Sequence, residues 1–473
     1  MARTIQGIEY DSRRVGKDFL FVAFPGARAD GRAFAQEAMS RGALAVMSES
    51  PKPEGFDGPW IQVDHGRHAL ATTARNFYGA PDERVFFTGI TGTNGKTTTS
   101  YLIEAILKAR GEITGLIGTI EYHLANEILP APNTTPESLD IMRFAAELSR
   151  RGGTHLISEV SSHALALGRV WGFHFHTAVF TNLTRDHLDF HGDMERYGGS
   201  KRQLFAPSEG PAPRWAVLNA DDRSSKQMQP RSETQTIWYG VSPGADLRAE
   251  NVRQGFDGSH FDLVWKGKTA PVQSSLVGSF NVSNILAAAG AALSYGLDLE
   301  QIASGIAACR NVPGRFERID LGQPFLVVVD YAHTDDALRG VIQTARKMTR
   351  NRVITLFGCG GDRDRSKRPL MGMAAAELSD YVVLTSDNPR SEDPLAILND
   401  TMVGIGRFDT PYVAEPDRAT AIRLALMQAK SGDVVLLAGK GHETYQVLKD
   451  RTIAFDDRAV AREVLRTLGY GKA

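Results

Sequence analysis

Cysteine is nearly missing from this sequence: Cys309 and Cys359 are the only two in 473 residues. Two thiols cannot make a disulfide framework, nor a zinc site without many histidines around them, so both are expected to be small packing residues. Long apolar runs are missing too. Nothing approaches the ~18 uninterrupted apolar residues of a membrane span, and Met1 to Gly16 carries scattered charges where a secretory leader would be apolar. A cytoplasmic protein without membrane insertion is expected. An excess of one charge sign is also absent, with 54 basic residues against 55 acidic and a formal charge of -1. No overall field favours nucleic acid or an anionic membrane, so an anionic ligand has to be gripped locally.

What is present is ordinary globular composition, 42% hydrophobic and 23% charged, over a length that implies about three domains. The first unit, 1–83, alternates apolar runs such as Phe19 to Phe24 with helical stretches such as Phe34 to Arg41, and reads as a small α/β domain. The turn-rich Gly79-Ala80-Pro81-Asp82 is the expected linker. In the second unit, 84–314, strands at Val85 to Ile90, Leu156 to Val160 and Ala178 to Thr181 are separated by helices, which implies a doubly wound, mainly parallel sheet. Asp257-Gly258 there reads as a hairpin turn. A third α/β unit, 315–473, has Rossmann-like strands at Leu326 to Val329, Val353 to Phe357, Tyr381 to Thr385 and Val434 to Leu437.

Between the strand ending at Ile90 and a following helix lies Thr91-Gly92-Thr93-Asn94-Gly95-Lys96-Thr97-Thr98-Thr99. Glycines here let backbone N–H groups turn inward around phosphate oxygens, and the helix N-terminus adds a favourable partial charge. Lys96 would neutralise the outer phosphates and the Thr97 hydroxyl would coordinate Mg²⁺. The usual first glycine of a P-loop is replaced by Ile90, so the loop is Walker-like. Downstream, Glu159 and His187 sit at the ends of two further strands. The carboxyl edge of an open α/β sheet is where ligands bind, so both are expected to converge with Thr97 on metal and phosphate.

These and other ordered motifs resemble the Mur ligase family of ATP-dependent amide ligases, and within it the diaminopimelate-adding kind. The resemblance spans nearly the whole chain. It rests on Asp11-Ser12-Arg13, Gly92 to Thr99, Asn133-Thr134-Thr135-Pro136, Glu159 to His163, Asp186 to Asp189 with His191-Gly192, and Lys201. It continues through Asn281 with Asn284, Pro313 to Glu317, Asp330 to His333, Asp387-Asn388-Pro389-Arg390 and Gly439-Lys440-Gly441-His442-Glu443.

The resemblance implies ATP contacts at Gly92, Thr93, Asn94, Gly95, Lys96, Thr97 and Thr98, with Asn281, Arg315, Asp330 and His333 around adenine and ribose. It implies Mg²⁺ at Thr97, Glu159 and His187, supported by a CO₂-derived carbamate on Lys201. Catalysis would fall to Lys96, Glu159, His187 and Lys201. Ser12, Thr134, Thr135, Ser161 and Arg169 would hold UDP-MurNAc-L-Ala-D-Glu. Asp387, Asn388, Arg390, Gly439 and Glu443 would hold meso-diaminopimelate, and a monomer is expected. Departures are Asp335 where proline is usual, Arg32 where histidine is common, and Leu167 where some relatives have glutamine.

A carboxylate must be activated before it forms an amide, and ATP can supply the leaving group through an acyl phosphate. No protein nucleophile is needed, and no compelling Ser-His or Cys-His arrangement is found. The best clue to the amine is Arg390. Its planar fork suits a carboxylate, which diaminopimelate carries at its far end and lysine does not. The competing readings are an L-lysine-adding relative, folylpolyglutamate synthase, and a nucleotide-sensing binding protein without turnover.

Overall fold

The computed structural model describes residues 4–26, 29–255 and 257–471. Among the described residues three large sheets follow one another along the chain, with a small antiparallel pair, Tyr445–Val447 and Thr452–Ala454, after them. The first has four parallel strands in sequence order, Gly7–Glu9, Phe19–Ala23, Ala43–Ser48 and Trp60–Gln62. The third has six, ordered Glu317–Ile319, Leu326–Asp330, Val434–Ala438, Val353–Cys359, Tyr381–Ser386 and Tyr412–Glu415, with only the first pair antiparallel.

The central sheet has eleven strands. Its parallel body runs Leu247–Gly255, Gln235–Gly240, Trp215–Asn219, Thr177–Phe180, Phe86–Thr91, His155–Glu159 and Thr114–Ile117, with antiparallel strands on both edges. The expected hairpin is there, Gly255 opposite Gly258. Side chains alternate along the buried strands. Phe87, Leu156, Ala178 and Phe180 enter one core, while Ile90, Ile157 and Val179 enter the other, beneath helices Lys96–Ala109 and Ser279–Ser294. Strand Phe86–Thr91 lies between His155–Glu159 and Thr177–Phe180, where the order of connection reverses, so a crevice opens at its carboxyl end.

The first sheet is not a separate bead. Leu20 and Val22, with Leu70, Ala71 and Ala74 of helix Gly66–Phe77, share a core with Leu139 and Met142 of helix Ser138–Arg150. Polar contacts cross the same seam, with Tyr10 donating to Asp140 at 2.5 Å and Arg143 to Glu9 at 2.8 Å. The expected linker is tied down as well. Asp82 is buried, accepts from Arg75 at 3.0 Å and takes the His174 N–H at 2.9 Å. Among the described residues no helix is long and apolar enough to cross a membrane.

Candidate active site

Strand Phe86–Thr91 delivers the glycine loop to the helix that begins at Lys96. Gly95 has φ +90°, and a Cβ there would lie 2.2 Å from Asn284 Oδ1, so only glycine fits this close approach. The end of the neighbouring strand holds the loop in shape. Asn182 Oδ1 accepts from the Asn94 N–H at 2.9 Å, and Thr181 Oγ1 donates to the Asn94 carbonyl at 2.6 Å. Lys96 curls back, donating to the Gly92 and Thr93 carbonyls at 2.9 Å each. Burial lowers its pKa, against the upward pull of Glu159 and Asp186.

Lys201 shares the Gly92 carbonyl, donating to it at 2.9 Å from a side chain only 1% exposed. Burial first, and Lys96 second, push its amine well below the usual lysine range. Glu159 is also fully buried. Its carboxylate accepts from Thr97 Oγ1 at 3.1 Å, Thr119 Oγ1 at 2.9 Å and the Thr119 N–H at 2.9 Å, all neutral donors. His187 has φ +53° and sets its ring edge-on to His163 at 4.7 Å. Crowding by the protein lowers its pKa to about 3, despite Asp186 beside it at 3.4 Å.

Lys96, Glu159 and His187 open on a cleft of about 440 Å³ between the second and third sheets, while Lys201 is not among its lining residues. Loop residues Thr93 to Thr98 line one wall with Glu159 and His187. Arg315, Asp330 and His333 line the other, and Thr134 and Ser161 stand at one end. Arg315 stacks on the Tyr331 ring at 4.4 Å. Asp330 turns both oxygens to backbone, accepting from Phe316 N at 2.7 Å and Ala332 N at 2.8 Å, which holds the strand-end turn. Lys367 pairs with Asp186, and Arg185 with Asp335 at 3.3 Å, so charges of opposite order bridge the two domains.

Six expected residues stand outside the lining: Gly92 and Lys201, described above, and four more. Asn281 is buried behind Asn284 and accepts its amide at 3.1 Å. Thr135 donates to the Glu159 carbonyl at 2.8 Å, and Arg169 donates to the Thr135 carbonyl at 2.9 Å and to Glu137 at 3.1 Å. Ser12 lies in the first sheet's domain with its hydroxyl on Glu37 at 2.7 Å.

The remaining expected residues form a second group at the carboxyl edge of the third sheet. Asn388 Nδ2 donates to Glu443 Oε2 at 2.9 Å, and Gly439, at φ +113°, lets Asp387 approach to 2.7 Å of where a Cβ would be. Arg390, also at positive φ, donates to the Gly361 carbonyl at 2.7 Å. Sequence reasoning did not single out Thr119, Lys440 or Arg418 for a role. Arg418, 1% exposed, pairs with Asp457 at 2.7 Å and donates to the Ser386 and Ala438 carbonyls at 3.1 and 3.0 Å. It thus ties the ends of two strands across the strand between them. Only Lys440 carried a signal, its place inside the Gly439 to Glu443 motif.

Comparison with known proteins agrees with this architecture. Three family models match in order: "Mur ligase family, catalytic domain" at residues 4–78, "Mur ligase middle domain" at 90–292 and "Mur ligase, glutamate ligase domain" at 314–441. A UDP-N-acetylmuramoyl-L-alanyl-D-glutamate--2,6-diaminopimelate ligase of Solibacter usitatus is 63% identical, covering 98% of this chain and 94% of the relative. The ligase of the same description from Geobacillus kaustophilus is 47% identical, covering 98% and 96%. A solved structure of such a diaminopimelate ligase aligns with a TM-score of 0.70 at 34% identity, over 98% of this chain and 95% of that one. A MurF ligase from Thermotoga maritima, solved with ADP, shares the fold at 20% identity and a TM-score of 0.66, over 98% and 97%. From the order of its three sheets to its match with relatives over almost its entire length, this chain belongs to the Mur ligase family.

Proposed function

We infer that this chain is an ATP-dependent amide ligase that adds meso-2,6-diaminopimelate to the D-Glu γ-carboxylate of UDP-MurNAc-L-Ala-D-Glu, a step of peptidoglycan synthesis. The observation that carries this reading is the pairing of two sites at adjoining sheet edges. One is a triphosphate loop, and the other is a cluster in which the Arg390 guanidinium, suited to a second carboxylate, accompanies Asp387, Asn388 and Glu443. The domains are 1–83, 84–314 and 315–473, and the protein works as a monomer in the cytoplasm.

The γ-carboxylate attacks the γ-phosphorus of ATP, breaking its bond to the β–γ bridging oxygen. ADP leaves and an acyl phosphate remains. The amine of diaminopimelate then attacks the acyl carbon, inorganic phosphate departs, and the amine gives up a proton. Lys96 holds the phosphates, because the neutral Gly92 and Thr93 carbonyls now under its ammonium are weaker partners than a phosphate anion. Asn94, Gly95 and Thr98 contribute loop contacts, and Arg315 and His333 close over the nucleotide from the third domain. Thr134 and Ser161 hold the dipeptide end of the sugar nucleotide, with Thr135 and Arg169 bracing them and Ser12 toward the uridine.

Mg²⁺ fits the residues present. Glu159 is a buried carboxylate bonded only by neutral donors, Thr97 adds an oxygen 3.1 Å from it, and His187 adds a neutral nitrogen to the lining of the same cleft. Among the described residues no cluster of three His, Cys, Asp or Glu side chains suits a metal, so the donor set is mixed. Bound there, the ion would offset repulsion between two anions that must meet. Lys201 suits CO₂ capture because its amine is held neutral. Its nitrogen bonds to the CO₂ carbon and loses a proton, which turns a neutral amine into an anion beside the metal site.

The test is phosphate release from ATP and Mg²⁺ with UDP-MurNAc-L-Ala-D-Glu plus meso-diaminopimelate, L-lysine or no amine. Release with diaminopimelate alone is expected. Release with lysine instead would overturn the amine assignment, and silence with every amine would overturn the ligase reading.

A further inference from the structure

Lys440 is 0% exposed, at the start of the loop that follows strand Val434–Ala438. Its ammonium donates to Glu443 Oε2 at 2.9 Å and to Asn388 Oδ1 at 3.2 Å, and the Tyr445 ring lies 5.7 Å away. Asn388 Oδ1 also accepts the Val447 N–H at 2.9 Å. With two donors on that oxygen the amide cannot flip, so its NH₂ must point to Glu443 Oε2, which it meets at 2.9 Å. The three side chains close a triangle of charge-assisted hydrogen bonds.

A buried ammonium is costly unless its partners hold it, and methionine would fill a similar volume without that cost. A lysine here therefore serves its partners. Both donors to Glu443 occupy the same oxygen, which leaves Oε1 for another cation. We propose that Lys440 is a positioning residue for the incoming amine: it locks Glu443 and Asn388 so that Glu443 Oε1 receives the distal ammonium of the diamino acid. This rests on the function inferred above and assigns Lys440 no contact with substrate.

The experiment is steady-state kinetics on the full chain with Lys440→Met, Glu443→Gln and the double variant, each substrate varied in turn. Losing one charge-assisted partner should raise KM for meso-diaminopimelate about tenfold. KM for ATP and the UDP-dipeptide should stay within about twofold, and kcat within about threefold. Because Lys440 acts through Glu443, the double variant should be no worse than Glu443→Gln alone. An unchanged KM for the amine, an equal rise in all three KM values, or additive effects in the double variant would each overturn the proposal. If Lys440→Met does not fold by circular dichroism, Lys440→Gln, which keeps a donor without the charge, carries the same cycle under the same criteria. Turnover of diaminopimelate by the parent protein separates failure of this inference from failure of the functional reading. A parent inactive with every amine overturns both.

Discussion

Arg315 Nη2 donates to Thr97 Oγ1 at 3.1 Å, and that hydroxyl in turn donates to Glu159 Oε2 at 3.1 Å. A residue of the third domain thus reaches the first turn of the helix behind the phosphate loop. The two domains are joined through a side chain proposed to touch metal. A nucleotide entering the cleft has to compete for this guanidinium, which is better matched to phosphate than to a hydroxyl.

Arg315→Ala is therefore expected to raise KM for ATP about tenfold or more. Arg315→Lys should recover only part of it, since a point charge replaces a fork. The ATP dependence of phosphate release at saturating amine checks this. An unchanged KM would mean that Arg315 only packs on Tyr331.

For Lys201, activity should depend on dissolved CO₂. In CO₂-stripped buffer at pH 7 to 8 the rate should fall by about tenfold or more, and bicarbonate should restore it. Capture needs the neutral amine, and a lowered pKa keeps that form available near neutrality. Lys201→Met should be inactive and indifferent to bicarbonate. A parent rate unaffected by CO₂ removal would argue against the carbamate.

Arg390→Ala should lower kcat/KM for meso-diaminopimelate on the order of 100-fold and leave that for L-lysine unchanged or raised. Competition between the two amines, read by mass of the product, measures the ratio directly. Equal losses for both would show that Arg390 supports the loop and does not choose the amine.

Acid should weaken the fold through buried histidines. His155 lies between the Phe86 and Tyr295 rings, with its pKa lowered by burial to about 4. Between an ordinary value near 6.5 and that value, the unfolded chain binds a proton that the fold refuses. Stability is then complete above about pH 6.5 and falls toward pH 4, by up to about 1.4 kcal/mol per pH unit for this one group. Denaturant melts at pH 6.5, 5.5 and 4.5 should show a shallower slope in His155→Gln than in the parent.

Much of this was legible in the chain. Continuous apolar runs such as Val434 to Leu437 place themselves as buried strands, and a glycine loop between strand and helix can do little else than cradle an anion. Glu159 was readable because strand ends define one edge of a sheet, whereas His187 comes seven residues past Phe180, at the head of helix Leu188–His191. The depth of Lys201 was not, since a helix with mixed polar residues gives no sign of which lysine is buried. Asn281 and Asn284 share a motif, yet only the fold reveals that Asn284 lines the cleft while Asn281 stands behind it. Thr119 left no trace, because a single threonine after a glycine is common anywhere. Arg418 opens an ordinary helix, Arg418–Gln428, and its partners lie 20 to 39 residues away.

That arginine separates scaffold from choice. By pinning the Ser386 and Ala438 carbonyls, with Asp457 balancing its charge, it fixes the gap between the two strand ends from behind. The residues proposed to meet the amine project from those ends, where Asn388, Lys440 and Glu443 add their own hydrogen bonds across the gap. On the proposed roles of Arg390 and Glu443, choice of amino acid would be changed by exchanging those two side chains while Arg418 keeps the strand ends in place. Loss of Arg418 itself would leave a buried Asp457 alone and cost about 3–5 kcal/mol before any question of selectivity arose.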